Sequence, residues 1–127
     1  MWIFKWKKNG LGKVYKFKEL IFEGNYLNDE KNGYGKEYRK NELIFEGEYL
    51  NGEKNGKGKQ YLNNKLKFEG EFKNGKRNGK GKEYNYNNKV IFEGEYVDGR
   101  RNGKGKEFDE NGNLKYEGEY LNGKRVN

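Results

Sequence analysis

The chain has 127 residues, enough for one domain, with 31% hydrophobic and 38% charged residues and a formal charge of +8. Ala, Cys, His, Pro, Ser and Thr are absent, which removes the hydroxyl and thiol nucleophiles, the histidine base, the His and Cys metal ligands and any disulfide framework. A disordered chain is argued against by 8 Phe, 11 Tyr and 2 Trp, and no apolar run approaches the ~18 residues of a membrane span.

In chain order, Trp2, Ile3, Phe4 and Trp6 alternate poorly and are expected to form an apolar cap. Asn9–Tyr15 looks like the second strand of a degenerate half repeat, so residues 1–21 count as one N-terminal cap. From Phe22 onward a repeat is plain. Phe-Glu-Gly stands at 22–24, 45–47, 68–70 and 92–94, and Tyr-Glu-Gly at 116–118. Asn-Gly-x-Gly begins independently at Asn9, Asn32, Asn55, Asn78 and Asn102. Two motifs in one register define full repeats at 22–44, 45–67, 68–91 and 92–115 and an incomplete one at 116–127. All belong to a single domain.

Each half of a unit reads as a strand. Helix is disfavoured by the glycines in every unit, the missing Ala and the lack of a 3.6-residue apolar pattern. In Phe45-Glu46-Gly47-Glu48-Tyr49 the period is two, with Phe45, Gly47 and Tyr49 on one face and the glutamates on the other. Folding this run onto Gly56–Lys59 around a loop at Leu50–Asn55 sets Gly47 against Gly58, Glu46 against Lys59 and Glu48 against Lys57. The same arithmetic sets Glu69 against Lys82, Glu71 against Lys80, Glu93 against Lys106 and Glu95 against Lys104. The expected core is Phe22, Gly24, Phe45, Gly47, Tyr49, Gly58, Phe68, Gly70, Gly81, Phe92, Gly94 and Gly105. Its rings should lie close over bare glycine backbone.

The unit Phe-Glu-Gly-Glu-Tyr-x-x-Gly-x-x-Asn-Gly-x-Gly closely resembles the MORN repeat (membrane occupation and recognition nexus) over residues 9–125. It departs consistently at one place, where the family often has His and this chain has Asn32, Asn55, Asn78 or Asn102. The resemblance implies an all-β array of hairpins forming one elongated, twisted, single-layered antiparallel sheet with a groove. It also implies a protein-binding scaffold, with lipid binding proposed for the family. The residues agree with that architecture, because a chain so poor in aliphatics suits a one-dimensional stack better than a two-layer core. About ten strands at ~4.8 Å make a sheet some 45–50 Å long.

Catalysis finds no support. The Gly-x-Gly pairs lack the Ser or Thr of a P-loop, and the Glu-x-Glu pairs recur in unit after unit as a solvated ladder rather than converging on one site. No enzyme activity, cofactor or metal is expected.

Two binding surfaces are expected instead. Tyr38, Tyr61, Tyr84 and Phe108 fall on the Glu/Lys face and suit a protein partner or an amphipathic helix laid into the groove. A stripe formed by Phe45, Tyr49, Phe68, Phe72, Phe92 and Tyr96 is expected along the groove, mostly as core. The loop tips change along the chain from Glu30-Lys31 and Glu53-Lys54 to Lys76-Arg77, Arg100-Arg101 and Lys124-Arg125. The last three make a basic rim suited to anionic phospholipid at a membrane surface. Nucleic acid is a weaker fit, since interleaved Glu repels a phosphate backbone. The unpaired last strand offers an edge for homo-oligomer assembly. A cytoplasmic protein is expected, with the membrane or cytoskeleton as places of association.

Overall fold

The computed structural model describes residues 9–126. Trp2, Ile3, Phe4 and Trp6, the expected cap, lie outside the described residues. Eleven strands form one antiparallel sheet in which neighbours in space are neighbours in sequence. They are β1 (Gly10–Lys16), β2 (Glu19–Leu27), β3 (Glu30–Arg39), β4 (Glu42–Leu50), β5 (Glu53–Leu62) and β6 (Lys65–Lys73), then β7 (Lys76–Tyr84), β8 (Val90–Val97), β9 (Arg100–Phe108), β10 (Leu114–Leu121) and β11 (Lys124–Arg125). Among the described residues there is no helix.

The glycines align across the whole sheet. Gly12, Gly24, Gly35, Gly47, Gly58, Gly70, Gly81, Gly94, Gly105 and Gly118 pair strand to strand from β1 to β10. The rings lie over this row. A Cβ at Gly58 would sit 2.6 Å from the Phe45 ring and 3.1 Å from Phe72. One at Gly47 would meet the Lys57 carbonyl at 2.5 Å and Gly58 Cα at 2.6 Å. The row is thus bare both to seat the rings and to let adjacent strands close.

The core is a zigzag of edge-on rings. Each Phe meets the ring four residues on in its own strand and the equivalent ring of the next repeat: Phe45–Tyr49 at 5.7 Å, Phe45–Phe72 at 5.2 Å, Phe68–Phe72 at 5.6 Å and Phe68–Tyr96 at 5.2 Å. The T-shaped geometry sets a positive ring edge on a negative face. Phe22, Phe45, Phe68 and Phe92 are almost completely buried. These are the core positions expected from the alternation. The stripe they form with Tyr49, Phe72 and Tyr96 backs the sheet and does not run along the groove.

The expected six-residue loop at Leu50–Asn55 is not formed. Leu50 pairs with Glu53, leaving a two-residue turn in which Asn51 (φ 51°) and Gly52 (φ 86°) are both left-handed. That is the primed hairpin geometry. The remaining residues become a bulge, with Asn55, Gly56 and Lys57 opposite Glu48. Gly56 (φ 104°) takes the left-handed backbone the bulge needs. Within the hairpins, Glu48–Lys57, Glu71–Lys80 and Glu95–Lys104 are therefore not paired positions. The carboxylates of Glu48, Glu71 and Glu95 instead accept the backbone N–H of Lys57 (2.7 Å), Lys80 (3.4 Å) and Lys104 (3.0 Å). The inner pairs stand as expected: Glu46 with Lys59, Glu69 with Lys82 and Glu93 with Lys106.

Successive tips are laced together. The turn glycines Gly52, Gly75, Gly99 and Gly123 donate their N–H to the carbonyls of Lys31, Lys54, Arg77 and Arg101 in the preceding tip, at 2.8–3.0 Å. At the opposite rim Asn63-Asn64 is again a two-residue turn, whereas residues 85–89 and 109–113 are longer loops. In the second of these, Asp109 accepts the N–H of Asn111 and Asn113, both at 2.9 Å. The extra residue in these loops turns a 23-residue spacing into 24.

Candidate functional site

With the rings on one face, the Glu/Lys positions occupy the other, and there the sheet forms a groove of about 1160 Å³ running from β3 to β10. Its floor is the backbone of the glycine row. Two lines of charge flank it, Glu46, Lys59, Glu69 and Lys82 continuing along one side, and Glu48, Lys57, Glu71 and Lys80 along the other. Both alternate in sign strand by strand.

Tyr38, Tyr61 and Tyr84 lie on this face as expected and are half-buried. Their hydroxyls are already engaged, reaching back one repeat. Tyr38 donates to Glu23 at 2.7 Å, Tyr61 to Glu46 at 2.5 Å and Tyr84 to Glu69. Phe108 holds the equivalent position without a hydroxyl. These rings form a fixed wall beside the groove, backed by Leu43, Leu66, Val90 and Leu114 as strand partners. They are not loose rings awaiting a ligand. Burial and the carboxylate beside it raise the phenols of Tyr38 and Tyr84 to about 12.

The dibasic rim needs correction. Arg77, Arg101 and Arg125 turn to the ring face, with the guanidinium 4.0 Å from the Phe68 centroid, 4.0 Å from Phe92 and 4.3 Å from Tyr116. Lys31 and Lys54 do the same over Phe22 and Phe45, both at 4.3 Å. Neighbouring residues in a strand face opposite sides, so only Lys76, Arg100 and Lys124 of each dibasic pair stay at the rim of the groove face.

The ring-face cations join a network that sequence reasoning missed. Glu83 accepts the Tyr96 hydroxyl and two Arg101 donors at 2.9 and 3.0 Å. Glu107 accepts Tyr120 and Arg125 likewise, and Glu37 takes Tyr49 and Lys54. The third repeat carries Phe72 in place of the tyrosine, and the second carries Gln60 in place of the glutamate, where it accepts from Arg77 at 2.8 Å. That paired exchange is the one trace of the network in the sequence. With no hydroxyl to donate, the carboxylate is gone too.

These networks predict a stability profile with two limbs. Hydrogen bonds from Arg125 hold the Glu107 carboxyl at about 2. Burial works against ionisation of Glu83, but Arg101 and Tyr96 outweigh it and its pKa is lowered. Groups with a depressed folded pKa stabilise fully above the unfolded value of about 4.3 and lose that contribution as pH falls towards the folded one. The phenols of Tyr38, Tyr84 and Tyr120, raised mainly by burial to about 12, stabilise below pH ~10 and lose that contribution as pH rises through 12. Thermal melts followed by circular dichroism should show a plateau bounded by both losses. Glu107→Gln and Glu83→Gln should flatten the acid limb and also reduce the alkaline one, since beside burial these carboxylates help to raise the phenols of Tyr120 and Tyr96.

A family model for the MORN repeat matches residues 22–42, 45–66, 68–90, 92–114 and 116–126. The chain is a MORN-repeat protein. The matched segments each begin at the expected Phe-Glu-Gly or Tyr-Glu-Gly, inside β2, β4, β6, β8 and β10 in turn. No curated protein matches the sequence. MORN repeats are non-enzymatic modules that generally bind proteins or membranes. In this MORN array the Glu/Lys groove lies on the face opposite the buried rings.

Proposed function

We propose that this MORN array is a non-enzymatic scaffold that holds a segment of a partner protein in the groove of its sheet. One observation carries the reading: the groove continues over eight strands, from β3 to β10, on the face opposite the sealed core. A ligand seated there meets side chains that the fold does not need for packing. Tyr61 and Tyr84, beside the groove, hold the lining carboxylates of Glu46 and Glu69 by hydrogen bonds, and side chains fixed beforehand limit the entropy cost of binding.

A displayed library of random peptides selected on the wild-type protein tests this. Enriched peptides should lose binding to a groove variant (Lys57→Gln, Lys80→Gln, Lys104→Gln) and keep it on a tip variant (Lys76→Gln, Arg100→Gln, Lys124→Gln). Selection of peptides indifferent to the groove variant would remove the reading.

The rim favours a second reading, peripheral attachment to an anionic membrane. In the C-terminal half the tips set Val97 beside Arg100 and Leu121 beside Lys124, with Val97 47% and Leu121 58% exposed. An apolar residue next to a cation suits the headgroup boundary, each cation contributing about 1 kcal/mol. Sedimentation with phosphatidylserine vesicles, lost on reversing Lys76, Arg100 and Lys124 to Glu, would support it. Unchanged sedimentation of that variant would end it.

A further inference from the structure

The groove is not uniform, and its departures from the repeat specify a ligand. In the later repeats the outer charged line carries Glu48, Glu71 and Glu95 against Lys57, Lys80 and Lys104. The first repeat has Asn25 in place of the glutamate and Tyr34 in place of the lysine, and Leu11 stands opposite Asn25. These three side chains line a second cavity of about 460 Å³, adjoining the long groove at Tyr34. Leu11 is 85% exposed and Tyr34 48%. The inner charged line continues here through Lys13, Glu23 and Lys36, but on the outer line an exposed Leu and Tyr stand where later repeats carry charge, which gives the site a direction.

Along the charged part, acids and bases are not equally available. Glu46 accepts the hydroxyls of both Tyr34 and Tyr61, and Glu69 accepts that of Tyr84. Glu48 and Glu95 accept backbone N–H groups. Among the described residues the groove lysines form one ion pair, Lys106 with Glu117 at 3.9 Å. The ammonium groups of Lys57, Lys80 and Lys104 are exposed donors held on alternate strands, ~9.6 Å apart at ~4.8 Å per strand.

Three residues of a polyproline-type segment make one full turn and span ~9.3 Å, matching that interval and returning the side chain to the same face, which a β-extended segment with its period of two would not do. Two helical turns span ~10.8 Å and drift out of step within two intervals.

We propose that the groove takes a polyproline-type peptide with a carboxylate at every third residue, neutral residues between, and a bulky apolar side chain anchored at Leu11 and Tyr34. The lining glutamates exclude an unbroken polyacid, which would meet as many like charges as opposite ones. This inference rests on the scaffold reading and adds the partner's chemistry to it.

The test uses fluorescence anisotropy with the full chain and four 14-residue probe peptides. The first has Leu at one end and Glu at every third position among Gln and Pro. The second replaces each Glu by Lys, and the third replaces the Leu by Asn. The fourth is an Ala-rich helix with Glu at every seventh position and the same end Leu. The first probe should bind best, weaken about tenfold on the triple Lys57→Gln, Lys80→Gln, Lys104→Gln variant, and weaken as salt rises. Leu11→Asn should reduce binding of the first probe to the level of the third. Circular dichroism establishes that each variant keeps the fold. Equal binding of the Lys probe, tighter binding of the helical probe, or indifference to the triple variant each overturns the inference. If no probe binds while library-selected peptides still depend on the groove lysines, the partner chemistry is wrong and the scaffold reading stands.

Discussion

Gly47→Ala should cost about 3 kcal/mol or more, a large share of the stability of an ordinary domain. The added methyl would lie 2.5 Å from the Lys57 carbonyl and 2.6 Å from Gly58 Cα. Both are backbone, so no rotamer change relieves the clash. The two strands must part, weakening the ladder and lifting Phe45 off its seat. Gly52→Ala is the control. Nothing lies within 4 Å of a Cβ there, and the cost is only that of a left-handed backbone at φ 86°, about 1–2 kcal/mol. Urea titrations followed by circular dichroism separate the two. A Gly47→Ala protein as stable as Gly52→Ala would show that the glycine row is not what sets strand approach.

Removal of a central ring should be as severe. Phe68 is fully buried and touches Phe72 at 5.6 Å, Tyr96 at 5.2 Å and the Arg77 guanidinium at 4.0 Å. Phe68→Ala should lose ~3–5 kcal/mol for the ring and its cavity. The position adds a second effect, because in a linear array coupling passes only between neighbouring repeats. A break at Phe68 should let the two halves melt apart, visible as two steps or a broadened transition where the wild type has one. Tyr61→Phe removes one hydrogen bond, to Glu46, at a half-buried site, and should cost about 0.5–1.5 kcal/mol. If Tyr61→Phe unfolds the chain as Phe68→Ala does, the core has been assigned to the wrong face.

Both predictions rest on residues whose roles differ in how they could be read. The glycine row and the burial of Phe22, Phe45, Phe68 and Phe92 were legible before any coordinates, since strand alternation is local and the motifs repeat it five times. The position of Tyr38, Tyr61 and Tyr84 on the charged face followed from the same parity. The hairpin turns did not. The second and third units each hold two Asn-Gly pairs, such as Asn51-Gly52 and Asn55-Gly56, and either can adopt left-handed backbone. The sheet chooses the first as turn and the second as bulge, because lacing Gly52 to the Lys31 carbonyl at 2.9 Å and capping Lys57 with Glu48 satisfies both sets of polar groups.

That choice of turn then decides which way the tip residues face. Arg77, Arg101 and Arg125 go to the rings, and Lys76, Arg100 and Lys124 to the rim, a division no reading of adjacent basic residues contains. The partners of Glu37, Glu83 and Glu107 lie 12–18 residues away in the next repeat, and only the stacking of hairpins brings them within reach. Spacing and alternation therefore determined the repeats, the sheet and its core, because those depend on neighbours along the chain. The groove, the tyrosine wall and the ring-face cations were decided by tertiary structure, because they depend on how far one strand slides against the next.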